Sequence, residues 1–161
     1  MAWVDPVFDR TQEDVNHALN QIAAWKSQSV SGTNPYTNDL KGCMNYSDIN
    51  RIEGNMEFLG DWLRSLGYTP NTPSKEWTQE GIPTQGECLR IIGNLNSLIG
   101  SFCQYPYAPD VPIDMNYYYE INAIEENLLL IKELIEIMIG SFKKCGTFQA
   151  GCKLFLPLRR A

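Results

Sequence analysis

The sequence predicts an all-α chain: a four-helix bundle-like domain over residues 1–146, with a long central C-terminal helix, followed by an extended docking tail over residues 147–161. Three observations predict it. Four stretches carry apolar residues at three-and-four spacing, capping or stop residues bound them, and three of the four match one another in register. A chain of 161 residues, 43% apolar and 20% charged, is long and apolar enough for one domain with a buried core.

The first helix is expected after Asp9 and Thr11, both good N-caps, with Val15, Ala18, Ile22 and Trp25 as its stripe and the turn-forming run Ser27 to Pro35 as its end. The second begins near Ser47, carries Ile49, Ile52, Met56, Leu59, Leu63 and Leu66, and stops at Gly67, which tolerates a left-handed backbone. Thr84 and Glu87 form a capping box for the third, whose stripe is Cys88, Ile91, Leu95, Leu98 and Phe102. The fourth runs from about Tyr117 to Lys144, with Gly146 as its stop. Its apolar surface extends past a single seam to Leu129, Leu130, Leu134, Ile137 and Ile139, which predicts a central element covered on most sides. Between these helices, the segments Gly67 to Pro83 and Tyr105 to Pro112 are rich in proline and aromatics; spaced prolines favour stiff, extended straps.

Helices two, three and four align in register. Asn50-Arg51-Ile52-Glu53-Gly54-Asn55-Met56 matches Leu89-Arg90-Ile91-Ile92-Gly93-Asn94-Leu95 at an offset of 39 residues, and Asn122-Ala123-Ile124-Glu125-Glu126-Asn127-Leu128 at an offset of 72. The common element is Ile-x-x-Asn followed by an aliphatic residue. Asparagine is a mediocre helix former, so its recurrence as Asn55, Asn94 and Asn127 has a cause outside helix propensity. A ligand ring is one reading; amides bonding neighbouring backbone at helix crossings is the favoured one.

Little in the chain points to catalysis. His17 is the sole histidine and has no partner of useful spacing, so neither a catalytic triad nor a Cys-His pair is expected. The five cysteines form no C-x-x-C pair, which argues against a metal site and for reduced thiols. Glu53, Glu57 and Asp61 share a helix face, where they suit acid-base work, a cation site or a plain solvated surface. Tyr117, Tyr118 and Tyr119, with Tyr105 and Tyr107, are able to stack on a sugar, but the favoured role is packing a strap against the helices. No phosphate-binding loop occurs, and a net charge of −6 disfavours nucleic acid and anionic membranes as partners. The stretch Leu128 to Ile139 is interrupted by Lys132, Glu133 and Glu136 and is too short to span a bilayer, and the acid among the first residues argues against a targeting segment. No cofactor is expected.

The order of segments resembles structural proteins of tailed bacteriophages and prophages of Gram-positive gut bacteria. The matching pieces are Trp3 with Asp9 to Val15, Lys41 to Asn55, Gly67-Tyr68, Trp77, Ile82-Pro83-Thr84, Asn122 to Glu125, and the glycine-bounded Cys145 to Gly151. The resemblance implies a non-enzymatic virion component of the tail or baseplate, an adaptor or connector assembled in the host cytoplasm. Its implied partners are other tail or baseplate proteins and further copies of itself. The chain stops soon after Gly151, where members of that group often continue into further domains, and this favours an adaptor over a fibre. The alternative from another class is a cytosolic helical interaction module, such as an assembly chaperone or regulator. In either case the partner-binding residues expected from the sequence are Phe148, Leu154, Phe155 and Leu156 in the tail. Burying four such side chains yields roughly 6–12 kcal/mol against about 12–24 kcal/mol for ordering a dozen residues, so a partner's surface is needed.

Overall fold

The structure is a computed structural model that describes residues 2–27, 40–81 and 83–144, with side chains to Ser141. The all-α class holds: four helices and no strand occur among the described residues. They are α1 (Gln12–Ser27), α2 (Tyr46–Ser65), α3 (Gln85–Ser101) and α4 (Tyr118–Lys144). The Gly146 stop and the tail expected over residues 147–161, with Phe148, Leu154, Phe155 and Leu156, lie outside the described residues.

Every helix begins with an acid that bonds back to the chain ahead of it. Asp14 accepts from the Thr11 amide at 2.8 Å, Asp48 from Asn45 at 3.1 Å, Glu87 from Thr84 at 2.9 Å and Glu120 from Tyr117 at 2.9 Å. Each arrangement satisfies orphan amides and puts negative charge at the positive end of the helix dipole. At the other end of α2, Gly67 adopts φ +94° and the Tyr68 amide reaches back to the Leu63 carbonyl at 3.0 Å, the predicted left-handed stop.

The Glu87 carboxyl illustrates how such a cap responds to pH. Its bond to Lys75, and then the Thr84 amide, pull its pKa from 4.5 to about 2. A pKa lowered by folding adds stability above 4.5 that disappears as pH falls toward 2. Glu87→Gln is therefore expected to melt below the wild type at neutral pH and together with it near the acid limit; thermal melts across that range check it.

The core is built by α2, α3 and α4. Ile52, Leu59, Leu63, Ile91, Leu95, Leu98, Ile124, Leu128 and Ile135 are fully enclosed, joined by Trp77 from the connector between α2 and α3. Expected as one of four packed helices, α1 buries Ala18 alone; Val15, Ile22 and Trp25 are half-buried, and no residue of α1 belongs to the core cluster. Nor is α4 uniquely central: Ile137 is 60% exposed, while α2 is enclosed on more of its circumference, with Gly54, Asn55 and Gly60 buried beside its apolar stripe.

The three core helices run parallel. Arg51 of α2 meets Glu125 of α4 at 2.8 Å and Glu53 of α2 meets Arg90 of α3 at 2.7 Å, so residues at like heights in the repeat touch. Just beyond the C-terminal ends of α2 and α3, Tyr68 meets Phe102 edge-on at 5.3 Å. Parallel neighbours need long return connections, and the two proline-rich segments provide them, each running back along the helices as an extended strap. A third segment, the arm of residues 2–11, lies on the helices in the same way. Gly60 shows how closely a strap approaches: a Cβ there would come within 2.4 Å of the Thr72 hydroxyl. Gly60→Ala is expected to destabilise by about 1 kcal/mol through overpacking, whereas Gly93→Ala, with open space around it, should stabilise by up to about 1 kcal/mol; urea unfolding of both checks the opposite signs.

Candidate functional site

An extended strap cannot satisfy its own backbone amides and carbonyls, so each buried one needs a partner from elsewhere. Here the partners are the repeated asparagines and glutamates. Asn50 grips Trp77 from both sides, accepting from its amide at 2.8 Å and donating to its carbonyl at 2.9 Å. Its equivalent Asn122 does the same for Arg10, with contacts of 3.4 and 2.9 Å. Asn55 holds Val4 through contacts of 3.0 and 2.7 Å. Asn94 donates to the Pro73 carbonyl and Asn127 to the Pro109 carbonyl, both at 2.9 Å. Asn55, Asn94 and Asn127 thus have the structural role favoured over a ligand ring, but they bind straps rather than helix crossings.

The two equivalent glutamates add charge. Glu53, 2% exposed, accepts from the Lys75 amide at 2.8 Å, from the Trp77 indole at 2.6 Å and from Arg90 at 2.7 and 2.8 Å. Glu125, fully buried, accepts from the Val7 amide at 2.7 Å, from Arg10 at 3.0 Å and from Arg51 at 2.8 and 3.0 Å. Asp48 closes this second cluster, bonding Arg10 at 3.0 Å and Arg51 at 2.6 Å. Two guanidiniums and two carboxylates balance in a site where Arg10 and Asp48 are each 5% exposed. Burial by itself would lower the Arg51 pKa, but pairing with Glu125 and Asp48 outweighs it and raises it. Among the described residues, the Arg10 Nε is the one buried side-chain nitrogen or oxygen without a hydrogen-bond partner.

The acidic face expected of α2 is therefore divided between burial and solvent. Glu53 is buried, Glu57 accepts from Ser74 of the strap at 2.8 Å, and Asp61 pairs with Arg64, which donates to the Pro70 carbonyl at 2.9 Å. Glu53 and Glu57 bond the connector lying over them, while Asp61 stays largely in solvent beside Arg64. Three of the five tyrosines depart from the favoured packing role, while Tyr105 and Tyr118 are half-buried. Tyr107 is 88% exposed, and Tyr117 and Tyr119 are more than half exposed, stacked on each other at 5.3 Å and 6°. Tyr117 and Tyr119 form an outward aromatic edge at the start of α4.

Sequence reasoning missed that the straps repeat along with the helices. Pro6-Val7-Phe8-Asp9-Arg10-Thr11-Gln12-Glu13 and Pro73-Ser74-Lys75-Glu76-Trp77-Thr78-Gln79-Glu80 share Pro-x-x-acid-x-Thr-Gln-Glu. The residues at the fifth position, Arg10 and Trp77, are the ones gripped by Asn122 and Asn50. Each strap motif thus sits on one copy of the helix motif Asn-x-Ile-Glu-x-Asn. On α3 the corresponding places are taken by Leu89 and Ile92, and the strap of residues 105–112 is held instead by Asn127 of α4.

A cleft of about 370 Å³ lies between the arm with α1 and the start of α4, lined by Arg10, Val15, Gly42, Met44, Met115 and Tyr118 among others. No group of His, Cys, Asp and Glu able to hold a metal ion occurs among the described residues, and no described helix is long and apolar enough to cross a membrane. His17 is exposed on α1, and Cys43, Cys88 and Cys103 are free thiols whose pKa values burial raises. Comparison with protein-family models, curated proteins and solved structures finds no match to the chain.

Proposed function

We propose that this chain is a non-enzymatic structural protein of a tailed-phage particle, an adaptor or connector in the tail or baseplate that acts through protein-protein contacts. The observation that carries the structural part is the use of the buried polar groups. Glu53, Glu125, Asp48, Asn55, Asn94 and Asn127 are each engaged by a strap or by an arginine, which makes a rigid scaffold of parallel helices. The outward aromatic edge of Tyr117 and Tyr119, and separately the exposed Tyr107, supply apolar area of the kind enriched at protein interfaces. The assignment to a phage tail rests on the resemblance of the segments from Trp3 to Gly151. Other tail or baseplate proteins and further copies of the chain are the proposed partners, and Phe148, Leu154, Phe155 and Leu156 remain the proposed docking residues in the tail.

Quantitative mass spectrometry of purified particles from the genome encoding this chain tests the proposal. A fixed stoichiometry relative to the other tail proteins is expected. Presence in the infected-cell lysate but absence from particles would contradict it and favour an assembly chaperone.

A further inference from the structure

We propose that the cleft between the arm with α1 and the start of α4 is a ligand site, and that it takes an uncharged aromatic group carrying a hydrogen-bond acceptor such as an amide carbonyl. The inference goes beyond the structural role of the chain and stands whether or not the protein is found in particles.

Protein interiors are close-packed, so a hollow of about 370 Å³ among apolar side chains is space that the fold itself leaves unfilled. Its volume is that of a small-molecule site. The most buried of its lining residues are apolar: Ile121 and Met115 are 3% and 7% exposed, and Met44 and Val15 are half-buried. Tyr117 and Tyr118 complete the apolar part of the lining. Two polarisable thioethers and two phenol rings suit an aromatic guest, since methionine sulfur and ring edges both make favourable contacts with an aromatic system.

Charge narrows the ligand. Arg10 is the one charged residue of the lining, and its guanidinium is already balanced in the cluster with Asp48, Glu125 and Arg51. An ionic ligand would give up its hydration for a site that offers no counter-ion, so a neutral one is favoured. Arg10 also has a donor to spare. Its Nη atoms are engaged by Val7, Asn122, Glu125 and Asp48, while its Nε is buried and without a hydrogen-bond partner. A buried donor left unpaired costs free energy that a ligand carbonyl recovers. The chain already holds one aromatic group in this way: the Trp77 ring lies in the core cluster while the Asn50 carboxamide bonds its backbone amide and carbonyl. At the cleft, the carboxamides of Gln12 and Asn116 are the corresponding polar groups.

Titration of the full-length, isotopically labelled chain followed by nuclear magnetic resonance tests the site. The probe is N-acetyl-tryptophanamide, which is neutral and carries amide carbonyls; N-acetyl-tryptophan and tryptophanamide are its anionic and cationic counterparts of nearly the same size. The neutral probe is expected to bind with a dissociation constant on the order of 0.1 mM, ordinary for a ligand of its size, and about tenfold more tightly than either charged counterpart. Its shifts should centre on the Met44 and Met115 methyl groups, the Gly42 and Tyr118 amides and the Arg10 Nε–H. Val15→Phe, which fills the cleft from α1, should weaken binding by about tenfold or more; if circular dichroism shows that variant unfolded, Tyr117→Ala, at an exposed position, takes its place under the same criterion. The peptide acetyl-Gly-Gly-Trp-Gly-Gly-amide identifies the source of the ligand: binding as tight as that of the single residue assigns the site to a segment of a partner protein, and exclusion assigns it to a free small molecule. No saturable shift up to about 5 mM, some fifty times the expected constant, equal binding of the charged counterparts, or shifts scattered over the surface with the cleft residues unmoved would overturn the proposal.

Discussion

Replacing Leu128 by Asp is expected to abolish cooperative folding. Leu128 is fully buried in the middle of α4, in the cluster with Ile52, Leu95 and Ile124. An ionised carboxylate there has no partner, and even as the neutral acid it leaves a polar group in an apolar site, a cost of several kcal/mol. Domains of this size have total stabilities of about 5–15 kcal/mol. Leu128→Ala, which only opens a cavity, should cost about 2–5 kcal/mol and retain a sigmoidal transition. Circular dichroism during urea unfolding separates the two: loss of the transition for Asp, a shifted midpoint for Ala. An unchanged midpoint for Leu128→Asp would contradict the placement of α4 in the core.

Glu125→Ala is expected to have the next largest effect. Two guanidiniums converge on this side chain, and its removal leaves Arg10 and Arg51 in a buried site with Asp48 alone. Breaking a buried ion network by deleting one partner costs about 3–5 kcal/mol, because the surviving charges keep their desolvation penalty. The Val7 amide also loses its acceptor. Glu136 provides the comparison: its pair with Lys132 is solvent-exposed on α4, and Glu136→Ala should change stability by less than about 1 kcal/mol. Both variants are read from urea midpoints under identical salt. Equal, small effects would mean that the Arg10–Glu125 cluster does not hold the arm.

The starts of the helices and the stop of α2 were legible because they depend on local chemistry. Thr84 and Gly67 act within a few residues of themselves, and spacing alone identifies Ile52, Leu59, Ile124 and Leu128 as inward-facing. The peripheral position of α1 was not legible. Periodic Val15, Ile22 and Trp25 mark which face of a helix is apolar, but not whether another element covers that face. Glu53 and Glu125 were hidden for a different reason: a lone carboxylate on a helix reads as solvent-facing, and only the pairing of helix motif with strap motif shows it to be buried. That pairing was present in the spacing of Pro6 to Glu13 and Pro73 to Glu80, but its meaning depends on parallel helices, which local sequence does not specify. The tyrosines at 117 and 119 failed in the opposite direction, since aromatic content alone does not say whether a ring faces inward.

The central claim is that side chains of the repeated helix motif hold the straps by their backbone. Amide hydrogen exchange measured by nuclear magnetic resonance tests it most directly. The amides of Val4, Val7, Lys75 and Trp77 lie in no helix and bond only to Asn55, Glu125, Glu53 and Asn50 respectively. They are expected to exchange slowly, with protection approaching that of core amides such as Leu59 and Leu128. Exchange at those four positions at the rate of an unstructured peptide, with α2 and α4 still protected, would contradict the account.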